Sequence, residues 1–311
     1  MMQNLERDID AILITGPTAS GKSALAVKLA KRHGGVVINA DSMQVYDTLR
    51  ILTARPDESE MGGVEHCLYG HVPAGLLYST GAWLRDAEAA VARLREEGRL
   101  PVFVGGTGLY FKALTGGLSD MPEIPAAIRE RLRARLKEKG ADALHAELAA
   151  RDPETAAQLR PGDGQRIIRA LEVIEATGKS IRFFQQGRGP VIVDPARARK
   201  IVVLPERALL HSRIERRFAA MLASGAVDEV RALLALELSP DMPVMKAIGV
   251  QQIAAMLRGE MSEADVISTG AAATRQYAKR QMTWFRNQLD DSWQRIESAD
   301  ALLEDQATTG E

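Results

Sequence analysis

Residues 16–23 read Gly16, Pro17, Thr18, Ala19, Ser20, Gly21, Lys22, Ser23: a glycine, four residues, then Gly-Lys-Ser. Glycines at these places let backbone N–H groups converge on phosphate oxygens. The lysine reaches the terminal phosphates and the hydroxyl after it a Mg²⁺ ion, here Lys22 and Ser23. The motif does not say which phosphate is held, since ATP, another nucleotide, or any other diphosphate with Mg²⁺ satisfies this nucleotide-binding loop equally. Asp41 closes the apolar run at 36–40. A carboxylate there can take a proton, hold Mg²⁺ through water, or cap the next turn. Thr107, in Val-Gly-Gly-Thr-Gly after the run at 101–104, offers a hydroxyl to phosphate or to a turn. His66, Cys67 and His71 match no usual zinc spacing and lack a fourth ligand.

These residues need elements to position them. Residues 11–15 (AILIT) predict a strand, 24–31 a helix ended by Gly34-Gly35, and 36–40 (VVINA) a second strand, which together make a βαβ unit. Thr80 is placed to cap a helix to about Glu97, with Trp83, Leu84, Ala87, Val91 and Leu94 on one face, and 101–104 (PVFV) is a third strand. A fourth, 200–204, follows almost a hundred residues later. Short, fully apolar strands alternating with amphipathic helices predict an α/β fold: a parallel sheet with helices on both faces. Ligands of such sheets sit at the carboxyl ends of the strands, so Asp41 and Thr107 point to the crevice of Lys22.

Residues 125–177 contain no strand-like segment. Pro125 opens a helix with Ile128, Leu132 and Leu136 that ends at Gly140, Asp152 and Asp163 are further start signals, and Gly178 is a stop. The expected organisation is a core at 1–120, an all-helical insertion domain at 121–195, and the rest of the core at 196–311. That last part is mostly helical, at 207–223, 226–236, 247–257 and 262–288, with a frayed acidic tail from Asp290.

Forty Lys plus Arg against 41 Asp plus Glu give a net charge of −1 over 311 residues, which excludes a uniformly basic nucleic-acid binder. Local counts differ: residues 275–286 carry four cations and no acid, interleaved with Tyr277, Trp284 and Phe285. Basic residues also cluster at 207–217 and at 129–139, followed by Arg166 and Arg169 on one helical face with Gln165, a pattern suited to RNA beside a phosphate site. One cysteine excludes an intramolecular disulfide framework and fits a reducing compartment, so a cytoplasmic protein is expected, with no membrane span, no secretion signal and no obligate protein partner evident.

Taken together, GPTASGKS at 16–23, NADSMQVY at 39–46, TARP at 53–56, VGGTGLYFKAL at 104–114, QRIIRALEV at 165–173, RIERRFAAML at 213–222 and TRQYAKRQMTWFR at 274–286 resemble the tRNA dimethylallyltransferase (tRNA isopentenyltransferase) family. The resemblance spans about residues 11–288. It implies a P-loop NTPase-like fold with a helical insertion. It also implies transfer of the dimethylallyl group of dimethylallyl diphosphate to N6 of adenine at position 37 of tRNA, beside the anticodon, with Mg²⁺ as cofactor. By the same resemblance residues 16–23 hold the diphosphate rather than ATP, Ser23 the metal, Asp41 is the general base, and Thr107 and Arg217 contact diphosphate. It further assigns contacts with the tRNA anticodon stem-loop to Asp41, Ser42, Met43, Gln44, Thr107, Arg129, Gln165, Arg166, Ile167, Ile168, Arg169 and Lys246. The chain departs from the family pattern at Val250-Gln251, where Tyr and a basic residue are usual, at Leu52, usually Gly, and at Ser23, commonly Thr. Two other readings stay open on the residues: a small-molecule kinase whose insertion is a lid, which has no need of the basic aromatic segment, and a non-catalytic nucleotide-regulated RNA-binding module, which tolerates loss of Asp41.

Overall fold

The computed structural model describes residues 9–119, 121–187 and 189–299. Five apolar or half-apolar runs and one short polar run pair side by side. They are β1 (Ala11–Thr15), β2 (Val36–Asn39), β3 (His66–Cys67), β4 (Pro101–Gly105), β5 (Ala198–Val203) and β6 (Gln294–Ile296). They form one sheet in the order β3-β2-β4-β1-β5-β6, parallel at every pairing. Period-two alternation sends Ile12, Ile14, Val102, Val104, Ile201 and Val203 to one face, under Leu25, Ala26, Leu29 and Ala30 of α1 (Lys22–His33). Leu13, Val36, Ile38, Phe103 and Val202 face the other way, toward α3 (Thr80–Glu96), α4 (Gly108–Leu114) and the C-terminal helices. A short helix, α2 (Glu58–Met61), lies between β2 and β3.

The chain divides into two compact units, Gly116–Val191 and the remainder. The first contains α5 (Ala126–Arg151), α6 (Pro153–Ala156), α7 (Gly164–Thr177) and α8 (Ile181–Gln185) around its own core of Leu132, Leu144, Leu148, Ile167 and Leu171. Asp152 ties its turns together, accepting from the Thr155 hydroxyl at 2.6 Å and the Ser180 hydroxyl at 2.5 Å. In the other unit α9 (Arg207–Met221) passes through a π-helical turn, Leu222–Ala226, into α10 (Val227–Leu234). A 3₁₀ turn at Pro243–Lys246, α11 (Val250–Leu257) and α12 (Glu263–Gln288) follow. Small residues let α12 approach α9: Phe218 lies where a Cβ on Gly270 would stand, 2.0 Å away.

Four expectations are corrected. Ser79, in extended conformation, caps α3 in place of Thr80, its hydroxyl accepting from Ala82 N–H at 3.1 Å. The helix from Pro125 does not end at Gly140. It breaks there, at φ 78° and ψ 170°, and resumes to Arg151. β3 has no sequence signal, being two residues long. The segment after Asp290 is not wholly frayed: Gln294–Ile296 extends the sheet, with Leu204 N–H on Ile296 O at 2.7 Å, while the expected tail beyond 299 lies outside the described residues.

Candidate active site

β1 delivers the chain to the phosphate loop and α1 begins at Lys22, so the loop's N–H groups and the helix N-terminus face one way. Two positions require an unusual backbone. Gly21 stands at φ 90°, and a Cβ on Gly16 would lie 2.6 Å from Val203 O. Ala19 is left-handed as well, at φ 63°, although it carries a side chain. Its methyl packs on Leu210, Ile214, Ala271 and Ala278 between α9 and α12, which holds the strained conformation. Ser20 is buried and its hydroxyl has no hydrogen-bond partner among the described residues. Lys22 Nζ donates to Pro17 O at 3.2 Å. Burial draws its pKa from 10.5 down to about 8, with Asp41 opposing the shift and Arg217 adding to it, so the three charges share one neighbourhood.

On the acceptor side the buried side chain of Asn39 fixes the turn carrying Asp41. Its Oδ1 accepts from Asp41 N–H at 2.8 Å and its Nδ2 donates to Asp41 O and Leu68 O, both at 3.0 Å. The Trp83 indole N–H in turn donates to Asn39 O at 2.9 Å. Asp41 Oδ1 accepts from Met43 N–H at 3.0 Å, leaving Oδ2 toward the crevice side near Gly106. Thr107 lies across from Ser42: its hydroxyl accepts from Ser42 N–H at 3.0 Å and donates to Ser42 Oγ at 3.3 Å. Gln44 turns its amide inward, donating to Thr53 O and Ala54 O.

A cavity of about 290 Å³ opens between these parts. Thr18, Asp41, Ser42 and Arg217 form its polar border, and Ala19, Met43, Leu52, Ile214, Phe218, Met221 and Ile248 an apolar wall. Lys246 stands at the same cavity. Of the departing residues, Leu52 belongs to this wall, Val250 is fully buried in the core, and Gln251 is exposed and donates to Met245 O. Gln165, Arg166 and Arg169 lie on α7 with their side chains at the surface of the Gly116–Val191 unit, and Arg129 lies on α5. Ile167 and Ile168 do not reach that surface. Their side chains are 0% and 5% exposed, in the unit's core.

Sequence reasoning missed three contributors. Asn39 stands in the quoted stretch 39–46, but nothing in the sequence gives a buried Asn at a strand end its part in holding the next turn. Gln281, on α12, accepts from Thr18 N–H and donates to Gly106 O. Tyr277 lines the cavity beside Arg280, and burial together with the Asp41 charge raises its pKa. Both Gln281 and Tyr277 belong to the basic aromatic segment, so composition marked the place without the roles. His66 and Cys67 are engaged with Val64 O and Glu65, and His71 with Tyr78 and Asp86.

The model of a family described as IPP transferase matches residues 44–288. The tRNA dimethylallyltransferase of Rhizobium meliloti (strain 1021) is 80% identical, over 97% of this chain and all of that protein. The tRNA dimethylallyltransferase of Agrobacterium fabrum is 70% identical over 96% of this chain. Among solved structures, a tRNA isopentenylpyrophosphate transferase from Bacillus halodurans superposes with a TM-score of 0.67 at 34% identity, covering 96% of this chain and 95% of that one. A eukaryotic dimethylallyltransferase described as acting on tRNA superposes at 0.76 and 27% identity, covering 88% of this chain and 69% of that one.

Proposed function

The chain belongs to the IPP transferase family, and on that premise we propose that it moves the dimethylallyl group of dimethylallyl diphosphate to N6 of the adenine at tRNA position 37, releasing diphosphate. It is a prenyl-transferring enzyme of tRNA modification on a P-loop NTPase-like fold. The observation that carries the reading is a single cavity bordered by a phosphate loop, a carboxylate and an apolar wall. A prenyl diphosphate and an amine acceptor need those three surfaces together.

In the reaction the N6 electron pair forms a bond to the allylic carbon while the C–O bond breaks, its electrons leaving with diphosphate. Lys22, Arg217 and the N–H groups of residues 16–23 oppose the growing negative charge. Thr107 contributes a further contact to the diphosphate. Adenine N6 is no acid in the ground state, but it becomes one as the new bond forms, and Asp41 then accepts its proton. The donors near the loop suit a hard cation: the exposed hydroxyl of Ser23, the orphaned hydroxyl of Ser20 and the Asp41 carboxylate are all oxygens. The Ser23 hydroxyl would hold Mg²⁺, which would supply neutralisation of leaving-group charge. Asp41, Ser42, Met43 and Lys246 border the adenine, which leaves its stack to reach them, Thr107 and Gln44 hold the turn that carries the first three of these, and Arg129, Gln165, Arg166 and Arg169 contact the anticodon stem-loop. The single cysteine supports a cytoplasmic setting. Among the described residues, no helix is long and apolar enough to cross a membrane.

Purified protein incubated with radiolabelled dimethylallyl diphosphate, Mg²⁺ and unmodified tRNA tests the proposal. Label retained on tRNA is the expected result, and ATP turnover without transfer overturns it. Asp41→Ala lowers transfer by roughly two to four powers of ten with tRNA binding kept. Equal loss of binding would make Asp41 a contact residue instead.

A further inference from the structure

One side chain, contributed from far along the chain, joins the two sides of the cavity. Gln281 is 5% exposed and both ends of its amide are engaged. Its Oε1 accepts from Thr18 N–H in the phosphate loop at 3.0 Å, and its Nε2 donates to Gly106 O, just beyond β4, at 3.0 Å. The space it occupies is the space a side chain at position 106 would fill. A Cβ on Gly106 would lie 2.2 Å from Gln281 Nε2 and 3.4 Å from Asp41 Oδ2. The segment it grips continues straight into the acceptor side, because Thr107 N–H donates to Ala40 O at 3.2 Å and the Thr107 hydroxyl accepts from Ser42 N–H. Pulling on Gly106 therefore moves the turn that carries Asp41. The other end acts equally directly, since Thr18 borders the cavity and is followed by the strained Ala19.

Transfer between two substrates depends on the separation of the reacting atoms. Those atoms must be held about 3–3.5 Å apart, and a misplacement near 1 Å costs on the order of a hundredfold in rate. We propose that Gln281 is a positioning residue that sets the distance between the donor-holding loop and the Asp41 turn. The proposal rests on the transferase reading above. It gives Gln281 no contact with either substrate, so its loss changes the chemical step rather than the binding of each partner.

Two substitutions separate this role from support of the fold. Gln281→Met keeps length and volume and removes both hydrogen bonds. Gln281→Glu keeps the acceptor for Thr18 and removes the donor to Gly106. The measurements are the single-turnover transfer rate at saturating substrates and, separately, the Kd for dimethylallyl diphosphate and for tRNA. The expected result for each variant is a rate about 30-fold to 100-fold below wild type, with both Kd values within threefold. A rate within threefold of wild type overturns the proposal, as does a Kd that rises in proportion to the loss of rate. If Gln281→Met fails to fold, Gln281→Glu decides by the same criteria, and if neither folds the residue is a fold support and the proposal fails. Wild-type protein that transfers no label overthrows the functional reading itself, an outcome distinct from variants that match an active wild type.

Discussion

Lys22 carries its charge in a place that penalises charge, and two opposite pH effects follow. Its pKa is depressed from 10.5 to about 8, chiefly by burial. Below pH 8 the group is protonated both folded and unfolded. Between 8 and 10.5 the unfolded chain holds a proton that the folded chain has released, so this group's contribution to stability rises with pH. Diphosphate, in contrast, binds the protonated lysine, so its affinity is level below pH 8 and falls by about tenfold per pH unit above it. Calorimetric titration with dimethylallyl diphosphate in buffers of different ionisation enthalpy reads this as proton uptake at pH 9 and none at pH 7. Equal proton release or no uptake at both values rejects the assignment. The phosphate loop was legible because its chemistry needs fixed residue types at fixed spacing within eight positions. The roles of Asn39 and Gln281 were not, because Asn39 holds the Asp41 turn to Leu68 and Gln281 joins Thr18 to Gly106, and only folding brings those distant partners near.

At the scale of elements, strands and helices were read wherever burial imposes a period. β1, β2 and β4 are fully buried, so their apolar runs are uninterrupted, and the α3 face of Trp83, Ala87, Val91 and Leu94 is buried at helical spacing. β3 and β6 lie at the sheet's edges and are two and three residues long, too short for a pattern to show. Gly140 was legible as a stop signal but not as an interruption, since the same glycine serves a helix end or a break within a longer rod. Its φ of 78° with ψ of 170° belongs to a region that only glycine occupies readily, and nothing stands within 4 Å of a Cβ there. Gly140→Ala therefore acts through the backbone alone and destabilises the protein by about 1–3 kcal/mol, measured by chemical denaturation. No change in unfolding midpoint would mean that the break straightens without penalty.

For the whole molecule, charge placement matters more than the net charge of −1. Arg131, Arg135 and Arg151 in the Gly116–Val191 unit are joined with Glu147 and Glu175, so part of the basic run at 129–139 serves the unit's own structure. Among the described residues Arg166 and Arg169 pair with neighbours one turn away: Asp163 at 3.5 Å, an exposed pair that contributes little to stability, and Glu172 at 3.4 Å, whose carboxylate is buried. Arg166→Ala is expected to leave thermal unfolding nearly unchanged, whereas the double replacement of Arg166 and Arg169 by Ala lowers the unfolding temperature, because it leaves the buried Glu172 carboxylate without Arg169. The double replacement also weakens tRNA binding and makes the slope of log affinity against log salt shallower by about 1.5. An unchanged slope in filter-binding titrations would remove them from the phosphate contacts. The sheet order also has a temporal side. β1 is made first yet takes its hydrogen bonds from β4 and β5, whose last residues are Gly105 and Val203. At ribosomal rates of about 5–20 residues per second, AILIT waits roughly 10–40 s for its second neighbour. The Gly116–Val191 unit, continuous in sequence and with a core of its own, is completed within that interval. The phosphate loop that β1 leads into is thus set between its two neighbouring strands only after the Gly116–Val191 unit is complete, and until β5 is made AILIT has at most one sheet neighbour.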